Sequence, residues 1–230
     1  MSRLGLFPVF AKLMNAYVFA SGARNSVLEL GPLLNATLRT LTNLTSLHLA
    51  IEGPFVNILD GCYFPNLSTF SSIVDLCPNW APMSTFLQRH PTITHICMGG
   101  EAPGQTFTLP QSALPALKTF MGSRRLAPVI VPGRPVEKIT LAWHAQNVEL
   151  EVSCIIPSLA RSSVPVRYFA CATPGWSSAL IRAISMFLPS LHSLKLQNIS
   201  TEVSNEVVST FMHFLLLHRF YFNHIPSDFP

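Results

Sequence analysis

The chain has 230 residues and carries a formal charge of +4, fifteen bases against eleven acids. Its longest basic run is Arg124-Arg125, so the dense basic footprint of a nucleic-acid binder is excluded. Only 11% of the residues are charged, against about 25% in an average soluble protein, and 49% are apolar, yet no apolar run reaches the roughly 20 residues of a membrane span. Five cysteines (Cys62, Cys77, Cys97, Cys154 and Cys171) make an odd set without a Cys-x-x-Cys pair or a flanking-cysteine cap. Buried free thiols in an intracellular compartment, cytoplasmic or nuclear, are therefore expected.

Residues 3–20 are predicted as a helix, with Leu6, Phe10, Leu13 and Tyr17 on one face. Arg3 before an apolar stretch, followed by Ser21-Gly22-Ala23, also fits a secretory signal. Pro8, Lys12 and Asn15 interrupt its apolar core, so a terminal helix is preferred. Residues 25–40 read as a second helix broken at Gly31-Pro32, with Leu30, Leu34, Leu38 and Leu41 on a stripe. Together they make residues 1–40 an N-terminal helical cap segment.

From Leu44 onward a short template recurs: a strand with apolar residues at its positions 0, +3 and +5. Matches start at Leu44 (Leu47, Leu49), Leu67 (Phe70, then Ser72), Ile93 (Ile96, Met98) and Leu117 (Phe120, then Gly122). Further matches start at Val136 (Ile139, Leu141), Val166 (Phe169, Cys171), Leu191 (Leu194, Leu196) and Leu217 (Phe220, Phe222). Successive starts lie 19 to 30 residues apart, and a proline stands one or two residues before six of the eight. That period is the one of leucine-rich repeats, roughly 20–29 residues with one strand per unit.

The connectors between strands differ. Met83–Arg89 is a short helix entered after Pro82, whereas residues 99–113 and 122–134 are Gly/Pro-rich and read as loops. Pro157 allows at most a broken helix between Glu149 and Arg161. Ser177–Leu188, with Leu180, Ile181, Ile184, Phe187 and Leu188 on one face, is a strong helix. So is Glu202–Leu216, with Thr201 as its N-cap. A last strand, Arg219–Asn223, precedes the short tail 224–230.

The expected fold is therefore α/β: a leucine-rich-repeat solenoid of about eight irregular repeats over residues 41–223. Its curved parallel sheet lies on the concave side, with helices and loops on the convex side. Strand side chains alternate, so positions +2 and +4 face away from the core. They carry the candidate partner-binding residues His48, His95, Met121, Lys138, Tyr168, Lys195, Arg219 and Tyr221. No acid stands at these positions, which suits an acidic or phosphorylated protein segment.

No chemistry is legible. His90, His95 and Cys97 lack a fourth metal ligand nearby, with His48 two strands away. Gly-x-Ser-x-Gly, Gly-x-x-x-x-Gly-Lys and Gly-x-Gly-x-x-Gly are all missing. Catalytic, cofactor and metal sites are not expected, nor is an enzyme. Asn35, Asn43, Asn66 and Asn198 stand in glycosylation sequons, which matter only for a secreted chain.

Units such as Leu114-Pro-Ala-Leu-Lys-Thr-Phe120, Pro165-Val-Arg-Tyr-Phe169 and Leu188-Pro-Ser-Leu-His-Ser-Leu-Lys-Leu196 resemble the leucine-rich-repeat region of F-box proteins from mushroom-forming fungi. The resemblance spans about residues 41–223. It implies a repeat region that selects substrates for a cullin ubiquitin ligase, reached through a Skp-family adaptor that binds an N-terminal F-box. Residues 1–40 contain no Leu-Pro-x-Glu-type F-box helix, and Leu6-Phe7-Pro8-Val9 lacks its acidic and apolar continuation. An adaptor is thus expected only if an F-box lies upstream. The expected function is a non-enzymatic protein–protein interaction module. The alternatives are a secreted or surface repeat receptor and a truncated repeat fragment.

Overall fold

In the computed structural model, the described residues are 15–20, 24–51, 56–73, 80–99, 107–143, 148–173, 175 and 177–198. They form eight strands: β1 Asn15–Ala20, β2 Ser46–Ile51, β3 Thr69–Ile73, β4 His95–Gly99, β5 Thr119–Ser123, β6 Lys138–Ala142, β7 Tyr168–Thr173 and β8 Ser193–Asn198. Five α-helices lie between them: α1 Arg24–Leu38, α2 Ala81–Arg89, α3 Ala127–Ile130, α4 Val148–Leu159 and α5 Ser178–Phe187. The strands make one all-parallel sheet in chain order, β1 to β8. A parallel neighbour needs a crossover connection, and the connectors between template matches supply it. This architecture is α/β and compatible with a solenoid.

The pairing register is the template itself. Each strand from β2 to β8 begins at position +2, and Ser46, Thr69, His95, Thr119, Lys138, Tyr168 and Ser193 stand side by side. Position +3 then forms one continuous buried row from Leu47 through Phe70, Ile96, Phe120, Ile139 and Phe169 to Leu194. A one-residue slip in any strand would turn that row to the opposite face. Just before each strand, the carbonyl at +1 accepts from two N–H groups of the next unit. Thr45 O accepts from Ser68 and Thr69, and the same pair of bonds repeats across to Arg167 O with His192 and Ser193.

A further apolar position, −3, emerges from the turns that enter the strands. The N–H at position 0 donates to the carbonyl at −3 in five units: Leu44 to Leu41, Leu67 to Phe64, Ile93 to His90, Leu117 to Leu114 and Leu191 to Leu188. All five −3 side chains are buried. Proline suits position −2 of this turn, because no N–H is required of it. The units of β6 and β7 carry proline at −1 instead, and Val136 N–H turns to Arg134 O and the Ser162 hydroxyl.

Four expectations are corrected here. Residues 15–20 are a strand, not the end of a helix: β1 pairs with β2 in full register, Asn15 beside Ser46 through Ala20 beside Ile51. Leu13-x-x-Ala16-x-Val18 is one more match to the template, hidden by the helical stripe of Leu6, Phe10, Leu13 and Tyr17. Residues 1–14 lie outside the described set, so α1 is all that remains there of the helical cap.

The other three corrections concern connectors. α1 runs unbroken through Pro32. Its last turns are held from outside: the Asn35 amide donates to Ile58 O and Asp60 O, and Arg39 donates to Asp60 O. α4 also runs unbroken through Pro157, although proline supplies no donor to the carbonyl four residues back, that of exposed Ser153. Val152, Ile155, Ile156 and Leu159 bury the opposite side of α4. The stretch 122–134, read as loop, contains the single turn α3.

Two expected helices hold. α2 carries proline in its first turn and buries Met83, Phe86 and Leu87. α5 is capped by Ser177, whose hydroxyl accepts from Leu180 N–H, and buries Leu180, Ile181 and Ile184. The helix expected over Glu202–Leu216 and the strand Arg219–Asn223 lie outside the described residues. One contiguous core unites the inner sheet face with residues of all five helices.

Candidate functional site

Side chains at +2 and +4 leave the core side of the sheet and form its open face. Along +2 run Ser46, Thr69, His95, Thr119, Lys138, Tyr168 and Ser193; along +4 run His48, Ser71, Cys97, Met121, Thr140, Ala170 and Lys195. All are exposed or half-buried except Ala170 at 6% exposure. Among the described residues no acid stands in either row.

The structure brings some of the expected residues together and not others. Lys138 and Tyr168 are register neighbours on β6 and β7, and Lys195 on β8 stands beside Ala170, two residues along from Tyr168. Met121, 48% exposed, lies one strand away from that group, beside Thr140. His48 and His95 are separated by β3, and each engages a local hydroxyl: His48 Nε2 is 2.8 Å from Ser46 Oγ, and His95 Nδ1 is 2.8 Å from Thr94 Oγ1. Arg219 and Tyr221 lie outside the described residues.

Three buried polar groups were not legible in the sequence. His90, 1% exposed, fills position −3 before β4, where the other turns hold leucine or phenylalanine. Its Nδ1–H donates to Phe86 O at 2.7 Å, while its Nε2 accepts from Phe64 N–H at 2.9 Å. The bond from Phe64 N–H requires an unprotonated Nε2 and hence the neutral ring, and burial pushes its pKa below the usual histidine value. With both nitrogens committed to backbone, no lone pair is left for a metal. Among the described residues, no group of three His, Cys, Asp or Glu side chains could hold one.

Arg134, 1% exposed, aims its guanidinium at carbonyls and at no carboxylate. Nε donates to Ala113 O at 2.7 Å, Nη1 to Ile130 O at 2.8 Å and Val129 O at 3.0 Å, and Nη2 to Pro110 O at 2.7 Å. The planar fork thereby ties the end of α3 to the segment before β5, a geometry that lysine cannot copy. Arg124, at the exit of β5, forks onto the Glu151 carboxylate of α4, with Nη2 3.3 Å from Oε1. The repeated −3 position could have flagged His90. No spacing marks Arg134 or Arg124.

The cysteines follow expectation only in part. Cys62 and Cys171 are buried free thiols, and burial pushes their pKa values up to about 11 and about 12. Cys97 is half-buried on the open face, but Cys154 is exposed on α4, because it falls on the side of that helix opposite Ile155 and Ile156. Cys77 lies outside the described residues.

Among the described residues, no helix is long and apolar enough to cross a membrane. Compared with known proteins, the sequence matches no protein-family model and no curated protein. Among the described residues, the class defined by fold and face together is an α/β protein with a single all-parallel sheet in chain order, one face covered by helices and the other open.

Proposed function

We propose that the chain is a leucine-rich-repeat solenoid acting as a non-enzymatic protein-binding module, with the open face of β2–β8 as its contact surface. The observation that carries this reading is the unbroken lattice of +2 and +4 side chains. Seven strands in one register present an extended surface, and β2 to β7 are paired to a neighbouring strand on both edges. Such a surface reads a partner through side chains alone, as solenoids do. Exposed Met121, half-buried Tyr168 and the cations Lys138 and Lys195 provide apolar, aromatic and charged contacts on it. The resemblance to fungal F-box repeat regions supports substrate recognition for a ubiquitin ligase as the setting.

The test is affinity purification of the tagged chain from its own cells, with crosslinks mapped by mass spectrometry. The variant Met121→Asp/Lys138→Glu/Lys195→Glu should lose its partner, while Met186→Asp, on the exposed side of α5, should retain it. Retention of every partner by the triple variant would remove the open face as the contact surface. Co-purification of a Skp-family adaptor would support the ligase setting, and its absence would leave a stand-alone binding module.

A further inference from the structure

Resting on that reading, we infer that the face of β6–β8 takes an extended segment of a partner protein with carboxylates spaced four residues apart. Two independent features point there. The first is shape. Ala170 is buried although it belongs to the open-face row, so the surface dips at this point. Thr140 stands at the same level on β6, and the small side chains of exposed Ala142 and half-buried Ala172 follow two residues along the strands. Tyr168 and Lys138 border it at one end along the strands, and Lys195 borders it across the sheet on β8.

The second feature is charge. Lys138 and Lys195 are both exposed, and no acid among the described residues stands in the +2 or +4 rows to neutralise them. Two strand spacings across and two residues along place their Cα atoms about 12 Å apart. In an extended peptide, residues i and i+4 are separated by about 13 Å and point the same way. Residue i+2 points that way too, midway between them, above β7 between Tyr168 and Ala170. The matching sequence is therefore an acid, any residue, an apolar residue, any residue, then a second acid. Its carboxylates meet the two ammonium groups, and its central side chain rests in the dip beside the Tyr168 ring.

The probe is a 12-residue peptide containing Glu-x-Leu-x-Glu, titrated into the isotope-labelled full chain while backbone amide resonances are followed. Shifts should centre on Lys138, Ala170 and Lys195. A Gln-x-Leu-x-Gln peptide, or one with its two glutamates adjacent, should bind on the order of tenfold more weakly. Lys138→Glu/Lys195→Glu should abolish the preference, whereas Lys118→Glu/Arg167→Glu, which changes the net charge equally at exposed positions outside the two rows, should keep it. Equal binding of the glutamine peptide, shifts centred elsewhere, or binding confined to a phosphoserine version would each overturn the assignment. If the purified cellular partner still depends on the open face while the glutamate peptide shows no preference, this inference fails and the protein-binding reading stands.

Discussion

Gly122 and Met98 face each other across β5 and β4 so closely that a Cβ on Gly122 would stand 2.1 Å from the Met98 carbonyl oxygen. The glycine occupies position +5, where four of the other strands hold a buried Leu, Met or Cys side chain and a fifth, β8, a half-buried leucine. Its φ of +157° lies at the edge of what side chains tolerate, and the obstructing atom is backbone that cannot rotate away. What reads in the sequence as an imperfect repeat is thus a place where two strands have no room for a side chain. Gly122→Ala should destabilise the fold by roughly 3 kcal/mol, the upper end of an overpacking penalty. Gly175→Ala, with nothing within 4 Å of its added methyl, should change stability by less than about 0.5 kcal/mol. Urea unfolding of the two variants beside the wild type checks the pair, and equal stabilities would refute the steric argument.

His90 makes stability depend on acid. Its pKa is lowered below 6.5 in the folded protein, chiefly by burial and further by Arg89, against the opposing effect of the Phe86 carbonyl. The unfolded chain therefore takes up this proton at higher pH than the folded one. The contribution of neutral His90 is complete above about pH 6.5 and is lost as pH falls from there toward the lowered folded value. His90→Leu suits the apolar character of position −3 but strands the buried Phe64 N–H, at a cost of about 2 kcal/mol at pH 7.5. The gap between wild type and variant should narrow as pH is lowered below 6.5. A gap that is constant with pH would show that the ring does not titrate as described.

Arg134 acts as an internal clamp, and the clamp depends on the guanidinium plane more than on its charge. Arg134→Lys keeps the charge and leaves several of the carbonyls of Pro110, Ala113, Val129 and Ile130 without donors. A loss of about 3 kcal/mol is expected, against less than about 0.5 kcal/mol for Arg125→Lys at an exposed position. Hydrogen exchange should show the loss concentrated in α3 and the turn 131–136. Uniform loosening of the whole sheet would argue against a local clamp.

Thiol reactivity should separate the cysteines by environment. At pH 8, alkylation read by peptide mapping should reach exposed Cys154 before the other described cysteines and should leave Cys62 and Cys171 unmodified until the chain unfolds. Those two combine burial with pKa values raised to about 11 and about 12, so almost no thiolate is present. Early modification of Cys171 would show that the β7 region opens under native conditions.

The sequence by itself determined the sheet. An apolar pattern at 0, +3 and +5 repeats because every strand must bury the same side, and seven of its matches appear in one register without a slip. The membership of the open face followed from the same alternation, so His48, His95, Met121, Lys138, Tyr168 and Lys195 could be placed on it from the pattern alone. What only the tertiary structure decided was whatever depends on a neighbour distant in the chain. Residues 15–20 carry both a helical stripe and the strand template, and pairing with β2 selects the strand. Pro32 and Pro157 weaken their helices locally, but contacts from other units hold those helices together. His90 and Arg134 look like ordinary surface residues until the turns of adjacent repeats close around them. Local periodicity records which side of an element is buried, whereas hydrogen-bond partners 20 or more residues away are set only when the units stack.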